Sequence, residues 1–333
     1  MKKDKKKVIG IAASIVVLVL LVCLWKIGKR LDVPTEKKQE ETICLLPDSN
    51  VYTMFHDTCN ATPKSMDWIP DEDTIEYGIL NDETAISESD TKISLESGEK
   101  YHKYIDLEQH IEEKGYYSLI VFDNFKQISF LVDGKEMEHC TVGLEYGEEI
   151  SVPLTIEHLE DGYHRLVFIW LCGVNRSFEE EELEESDYFD ACCMWTDVEV
   201  GTGQWQPECV SYDGRYFQEC NMLVNLQSRY GVDNIVENII HPKSGDKEIF
   251  ATVGNNSNDE RLEKILWAIC DFEQVPIDNS GNYCMYAEVP KNQFISQGIP
   301  FGEKTDRSYG YQVFVMDLAS GEIDYTNRVL VQR

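Results

Sequence analysis

The sequence predicts an all-β ectodomain, two antiparallel β-sandwiches in tandem, behind one N-terminal transmembrane helix. Three observations lead there. Val8 to Trp25 is an unbroken run without a charge. The remainder alternates short apolar stretches with turn signals. The stretch Leu119–Phe130 returns, altered, as Leu266–Ile277.

The apolar run reads VIGIAASIVVLVLLVCLW. Eighteen helical residues rise roughly 27 Å, close to the ~30 Å of a bilayer's hydrocarbon core. Trp25 falls where an amphipathic ring favours the headgroups. The run ends in Cys-Leu-Trp-Lys without a small-residue cleavage pattern, which favours a retained helix over a signal peptide. Acylation at Cys23 calls for a small residue before it, and Val22 is not one. Five lysines within residues 1–7 outweigh Lys26, Lys29 and Arg30 on the far side. Residues 1–7 are therefore expected in the cytoplasm and the C-terminal bulk outside. Residues 26–43 are polar, carry Pro34 and read as a flexible stalk.

Charge narrows the range of partners. The net charge is −31, yet residues 1–30 hold eight basic side chains against Asp4 alone. Everything after residue 30 therefore carries −38. Such a surface repels phosphate backbones, so no nucleic-acid partner is expected. It suits a basic partner, or simply solubility.

The duplication runs at an offset of 147 residues. LIVFDNFKQISF and LWAICDFEQVPI share Leu119/Leu266, Phe125/Phe272 and Gln127/Gln274. Downstream, at nearly the same offset, Gly134 matches Gly281, Ile150-Ser151 matches Ile295-Ser296, and Gly162-Tyr163 matches Gly310-Tyr311. Matches in register at this spacing imply one module used twice.

Each copy reads as five or six short strands. Tyr163–Leu171 is almost wholly apolar, as a strand covered on both faces would be. Strands of this length and spacing suit immunoglobulin-like sandwiches. Short helices are expected at 106–113 and near Phe178. The boundaries are a first sandwich at 44–200 with an acidic insertion at 178–190, a linker at 201–208, and a second sandwich at 209–333. In layout the chain resembles anchored surface proteins of Gram-positive bacteria, which implies a place on the cell surface.

Candidate contact residues follow from exposure and charge. Residues 179–190 hold eight carboxylates. Of these, Glu180, Glu181, Glu184 and Asp187 are candidates for touching a partner, because the second copy lacks the insertion. Trp68 and Trp205 have polar or proline-rich neighbours and could stack on a sugar. Among the cysteines, Cys44 with Cys59, Cys209 with Cys220 and Cys270 with Cys284 are close enough to pair across hairpins, although spacing does not decide connectivity. The seven histidines are scattered without a metal-ligand spacing, so no metal or cofactor is expected. Ser97-Gly98-Glu99-Lys100 matches S-x-x-K but lacks the companion motifs and lies in a turn-like context. The sequence thus points to a non-enzymatic, membrane-anchored binding or assembly protein with an unidentified protein or cell-wall partner. The alternatives are a carbohydrate-binding surface protein and a hydrolase with a dispersed site.

Overall fold

The computed structural model of the chain describes residues 61, 63–66, 74–81, 92–112, 114–174, 190–202, 207–219, 221–233, 235–243, 245–301 and 309–332. The expected membrane helix and stalk lie outside the described residues. So do the insertion with Glu180, Glu181, Glu184 and Asp187, both Trp68 and Trp205, and Cys44, Cys59 and Cys220. Among the described residues no helix is long and apolar enough to cross a membrane.

The regular structure of these residues is all strand. The first half holds β1 (Lys64–Ser65), β2 (Ile75–Leu80), β3 (Lys92–Leu95), β4 (Tyr101–Gln109), β5 (Gly115–Asp123) and β6 (Lys126–Ile128). It continues with β7 (Phe130–Val132), β8 (Lys135–Met137), β9 (His139–Leu144), β10 (Glu148–Ile156), β11 (Gly162–Leu171) and β12 (Ala191–Val200). The second half holds β13 (Val210–Ser211), β14 (Tyr216–Gln218), β15 (Val224–Gln227), β16 (Ile239–Ile240), β17 (Glu248–Asn255) and β18 (Arg261–Cys270). It ends with β19 (Glu273–Val275), β20 (Cys284–Pro290), β21 (Gln293–Pro300), β22 (Tyr309–Asp317), β23 (Ile323–Tyr325) and β24 (Val329–Val331).

These strands form four sheets. Outer sheet one runs β2-β4-β10-β7-β8, with β1 on β10. Inner sheet one runs β3-β12-β11-β5-β6, with β9 on β5. Inner sheet two runs β13-β20-β18-β22-β24-β16, with β19 on β18 and β23 on β22. Outer sheet two runs β14-β21-β17-β15.

Alternation within strands stacks these sheets into layers. In β10, Ile150, Val152, Leu154 and Ile156 are buried while the residues between them are not. They join Leu166, Phe168 and Trp170 of β11 in the core between outer and inner sheet one. The other face of β11 presents Val167, Ile169 and Leu171 to a second apolar layer, shared with Ile265, Trp267 and Ile269 of β18 and Phe314 of β22. The opposite face of β18, with Leu266 and Ala268, closes the third core against outer sheet two. A strand buried on both faces has no polar side to show, which is why Leu166–Leu171 reads as a continuous apolar run. Residues 43–333 belong to one compact unit, and the middle layer explains why: the two inner sheets bury their outward faces against each other.

The two copies meet through their duplicated hairpins. The Gln127 N–H donates to Gln274 Oε1 at 2.8 Å, and the Gln274 N–H donates to Gln127 Oε1 at 2.6 Å. Gln127 Nε2 donates to the Phe272 carbonyl and Gln274 Nε2 to the Phe125 carbonyl, at 2.8 and 2.6 Å. Each contact is the mirror of the other, as in a self-complementary two-fold interface. The ladders repeat as well. Short β3 runs parallel to β12, and β16 runs parallel to β24.

Three expectations change. The downstream match of Gly162-Tyr163 with Gly310-Tyr311 is out of register. Asn124 exchanges backbone and side-chain bonds with Arg165, and Asp271 exchanges the same bonds with Gly310. Arg165, not Gly162, is thus the counterpart of Gly310, and the two have no chemical likeness for a sequence comparison to find. Second, residues 106–109 of the expected helix complete strand β4, whose Ile105, Leu107 and Gln109 are buried in alternation; that period of two wins over any helical preference. Third, Gly134 and Gly281, both at positive φ, serve different turns. Gly134 turns the β7–β8 hairpin, whereas Gly281 closes a loop pinned by the Asp278 carboxylate.

Two arginines reach across the seam. Arg165 lies against Asp197, with Nε 2.8 Å from Oδ1, and stacks over the Trp195 ring of the same half at 4.6 Å. Its Nη1 also reaches Met316 of the other half. Arg328 Nη2 donates to the Cys172 carbonyl at 3.0 Å. His164 is held by Asp123 at Nδ1 and by the Glu160 carbonyl at Nε2. With both nitrogens donating, it favours the charged form, and its pKa is raised chiefly by the Asp123 hydrogen bond.

Candidate functional site

The least ordinary cluster lies on the solvent side of outer sheet one. Register sets it up: Glu76 on β2 faces Glu108 on β4, Glu108 faces Glu149 on β10, and Glu149 faces Lys64 on β1. Three carboxylates side by side across a sheet are destabilising unless something offsets their charge. The middle one bears most of the strain. Burial pushes the Glu108 carboxyl up to about 7, helped by Asp106, Glu76 and Glu149. Asp106 is raised by burial, against a hydrogen bond from Ser151.

His110 follows β4, and its N–H donates to the Thr74 carbonyl at 3.1 Å. The side chain is 2 % exposed. Nε2 lies 3.4 Å from Glu108 Oε2 and 4.0 Å from Glu76 Oε1. Neither ring nitrogen makes a hydrogen bond. Burial lowers the His110 pKa while Glu76 opposes that. One donor atom from each of Glu76, Glu108 and His110 falls within 4.8 Å of the others. Sequence spacing assigned no metal here. Glu108 and His110, two apart, fall at the end of β4 and just past it, a signal that reading 106–113 as a helix conceals. Glu76 joins them only through the fold.

The Glu108 carboxyl yields a pH prediction. Its pKa is higher folded than unfolded, so folding takes up a proton. The associated stability is present below pH ~4.5 and is lost as pH rises through about 7. Charged and titratable groups around it are Glu76, Asp106, Glu149 and His110. In EDTA-containing buffer, Glu108→Gln should flatten the fall in melting temperature between pH 5 and 8. At pH 8 it should melt about 2–4 °C above the parent, as expected for roughly 1 kcal/mol in a chain this size. Identical profiles for the two proteins would refute the shift.

A second feature lies on outer sheet two. A depression of about 430 Å³ is lined by Tyr212, Tyr230, Glu248, Phe250, Asp278 and Gln297, among others. Residues 228–233 fold onto this sheet. The Gly231 N–H donates to Ser296 Oγ at 3.0 Å, and Gln227 Nε2 donates to Thr252 Oγ1 at 2.9 Å. Tyr230 is thereby set edge-on to Phe217 and Phe250, both at 5.5 Å, and remains 51 % exposed. Gly298 keeps the floor open, since a Cβ there would lie 2.7 Å from the Glu248 carboxylate. Burial and the nearby Tyr230 push Tyr212 up to about 12, so it stays a neutral hydroxyl. Tyrosine rings beside carboxylates and amides can stack on and hydrogen-bond a polar ligand. Trp68 and Trp205, expected to face a sugar, lie outside the described residues. These tyrosines escaped the sequence reading because tyrosine is plentiful throughout and only the fold gathers them.

The cysteine pairs differ from expectation. Cys209 is bonded to Cys284, 75 residues away. This overturns the pairings of Cys209 with Cys220 and of Cys270 with Cys284. Strand β18 pairs with β20 so that Trp267, not Cys270, stands opposite Cys284. Strand β13 runs parallel to β20 with Val210 beside Met285, which brings Cys209 alongside Cys284. Cys172 and Cys192 are buried thiols with sulfurs 3.6 Å apart.

No protein-family model matches the sequence. No curated protein matches it either. Solved structures do align. The CARDB domain of a Pyrococcus furiosus protein, solved in complex with di-metal ions, aligns at 11% identity and a TM-score of 0.23, over 44% of this chain and 95% of that one. A PapD-like domain of human CEP192 aligns at 13% identity and 0.23, over 46% and 98%. The C-terminal domain of the Streptococcus agalactiae AgI/II polypeptide BspA aligns at 8% and 0.21, over 78% and 100%. At such scores the alignments bear on neither ligand nor activity. The class rests on the sheets themselves: the described residues form layered, mostly antiparallel β-sheets.

Proposed function

We propose that the chain is a membrane-anchored, non-enzymatic binding or assembly protein whose β-sandwiches stand outside the cell. The observation that carries this reading is the Cys209–Cys284 disulfide. Disulfides persist in oxidising compartments and are rare in the cytosol. It agrees in sign with the uncharged run Val8–Trp25 and the lysines before it. A broad middle layer holding both copies rigid suits a display scaffold, which loses little entropy when it binds.

Topology is the first test. A protease added to intact cells carrying the full chain should cut at the stalk and release the part beyond it, and the released part should keep the Cys209–Cys284 bond under non-reducing electrophoresis. Protection of the chain until the membrane is opened would end this reading.

A second reading, binding of a cell-wall or other carbohydrate, is favoured by the tyrosine-lined depression on outer sheet two. Tyr230→Ala should weaken co-sedimentation with isolated cell wall about tenfold, since stacking on an exposed ring contributes on the order of 1 kcal/mol or more. Unchanged sedimentation removes the depression as a sugar site.

A further inference from the structure

We propose that Glu76, Glu108 and His110 bind one divalent transition-metal ion, of the zinc type, on the solvent face of outer sheet one. The donor set is one imidazole and two carboxylates. Zinc takes such nitrogen and oxygen donors at roughly 2.0–2.2 Å, which puts neighbouring ligand atoms about 3.4 Å apart at tetrahedral angles. His110 Nε2 and Glu108 Oε2 are already 3.4 Å apart. Glu76 Oε1, 4.0 Å from the same nitrogen, comes from the more exposed side chain and needs only a small rotation to close in.

The second observation is His110 itself. An imidazole almost wholly buried, with neither nitrogen hydrogen-bonded and one aimed at two carboxylates, lacks the partner that buried polar groups require. A cation supplies that partner, and it also offsets the repulsion along the row Glu76–Glu108–Glu149. Asp106 and Glu149 flank the site and raise its attraction for cations without being needed as ligands. Imidazole selects zinc-like ions over calcium or magnesium, and three protein donors are too few for calcium's six to eight oxygens. Register preorganises the two carboxylates, because Glu76 and Glu108 are direct cross-strand partners.

The test uses the full-length chain in detergent, stripped with EDTA and titrated with Zn²⁺ alone against a chromophoric chelator. We expect one tight equivalent, undisturbed by excess Ca²⁺, together with a Zn²⁺-dependent rise in melting temperature. His110→Ala and Glu76→Gln should each weaken that equivalent by about 100-fold or more, beyond the loss typical of outer-shell partners. Glu76 is exposed, so its variant keeps the sheet intact and controls for misfolding of the histidine variant. Absence of a stoichiometric tight site in the parent would overturn the proposal. So would an E76Q protein with the parent's circular dichroism and the parent's Zn²⁺ affinity.

Discussion

Trp267→Ala is expected to destabilise the chain by about 3–5 kcal/mol, the usual cost of emptying a large aromatic site in a core. Trp267 is fully buried in the middle layer. Its ring meets Phe122 and Phe125 of the first half at 5.9 and 5.2 Å, and Phe314 of the second at 5.7 Å. The cavity would therefore open between the two halves. Urea denaturation followed by tryptophan emission and far-ultraviolet circular dichroism should show an earlier midpoint. The loss of seam packing should also separate the transition into two steps. Trp267→Phe should cost far less, since it keeps an aromatic ring in place and removes an indole N–H that has no hydrogen-bond partner. A loss under about 1 kcal/mol in the alanine variant would mean that the middle layer is not a core.

The second large effect concerns the reciprocal glutamines. Removing either side chain takes away its hydrogen bonds to the partner's backbone N–H and to a phenylalanine carbonyl. Gln127→Ala or Gln274→Ala should therefore cost about 1–3 kcal/mol each. The pair acts as a unit, so the double variant should lose clearly less than the sum, with a coupling on the order of 1 kcal/mol. A double-mutant cycle in urea measures it directly. Strict additivity would show that the two glutamines do not depend on each other, and that the seam rests on apolar packing alone.

That pair also shows what was legible. Gln127 and Gln274 stood out as identical residues 147 apart, and the fold brings the two into reciprocal contact. Register beyond the hairpin was less legible. Backbone contacts equate Arg165 with Gly310, a correspondence that residue identity does not carry. The candidate metal site was largely hidden. Glu108 lies on β4 and His110 just past its end, two residues on, but Glu76 enters through the β2–β4 ladder. The disulfide was hidden for the same reason, since a parallel ladder of two residues brings Cys209 to Cys284.

Taken alone, the sequence determined what repeats and what alternates: a β-rich chain, two similar stretches 147 residues apart, and a run at Leu166–Leu171 with no polar residue. These are local properties, set by side-chain period and composition. Only the tertiary structure decided what the outward apolar faces of Val167, Ile169, Ile265 and Trp267 are for. They pack on one another, because a sheet with two apolar faces must bury both. It likewise decided which carboxylates stand beside His110. Neighbours across a sheet are chosen by register, and register is a property of the fold as a whole.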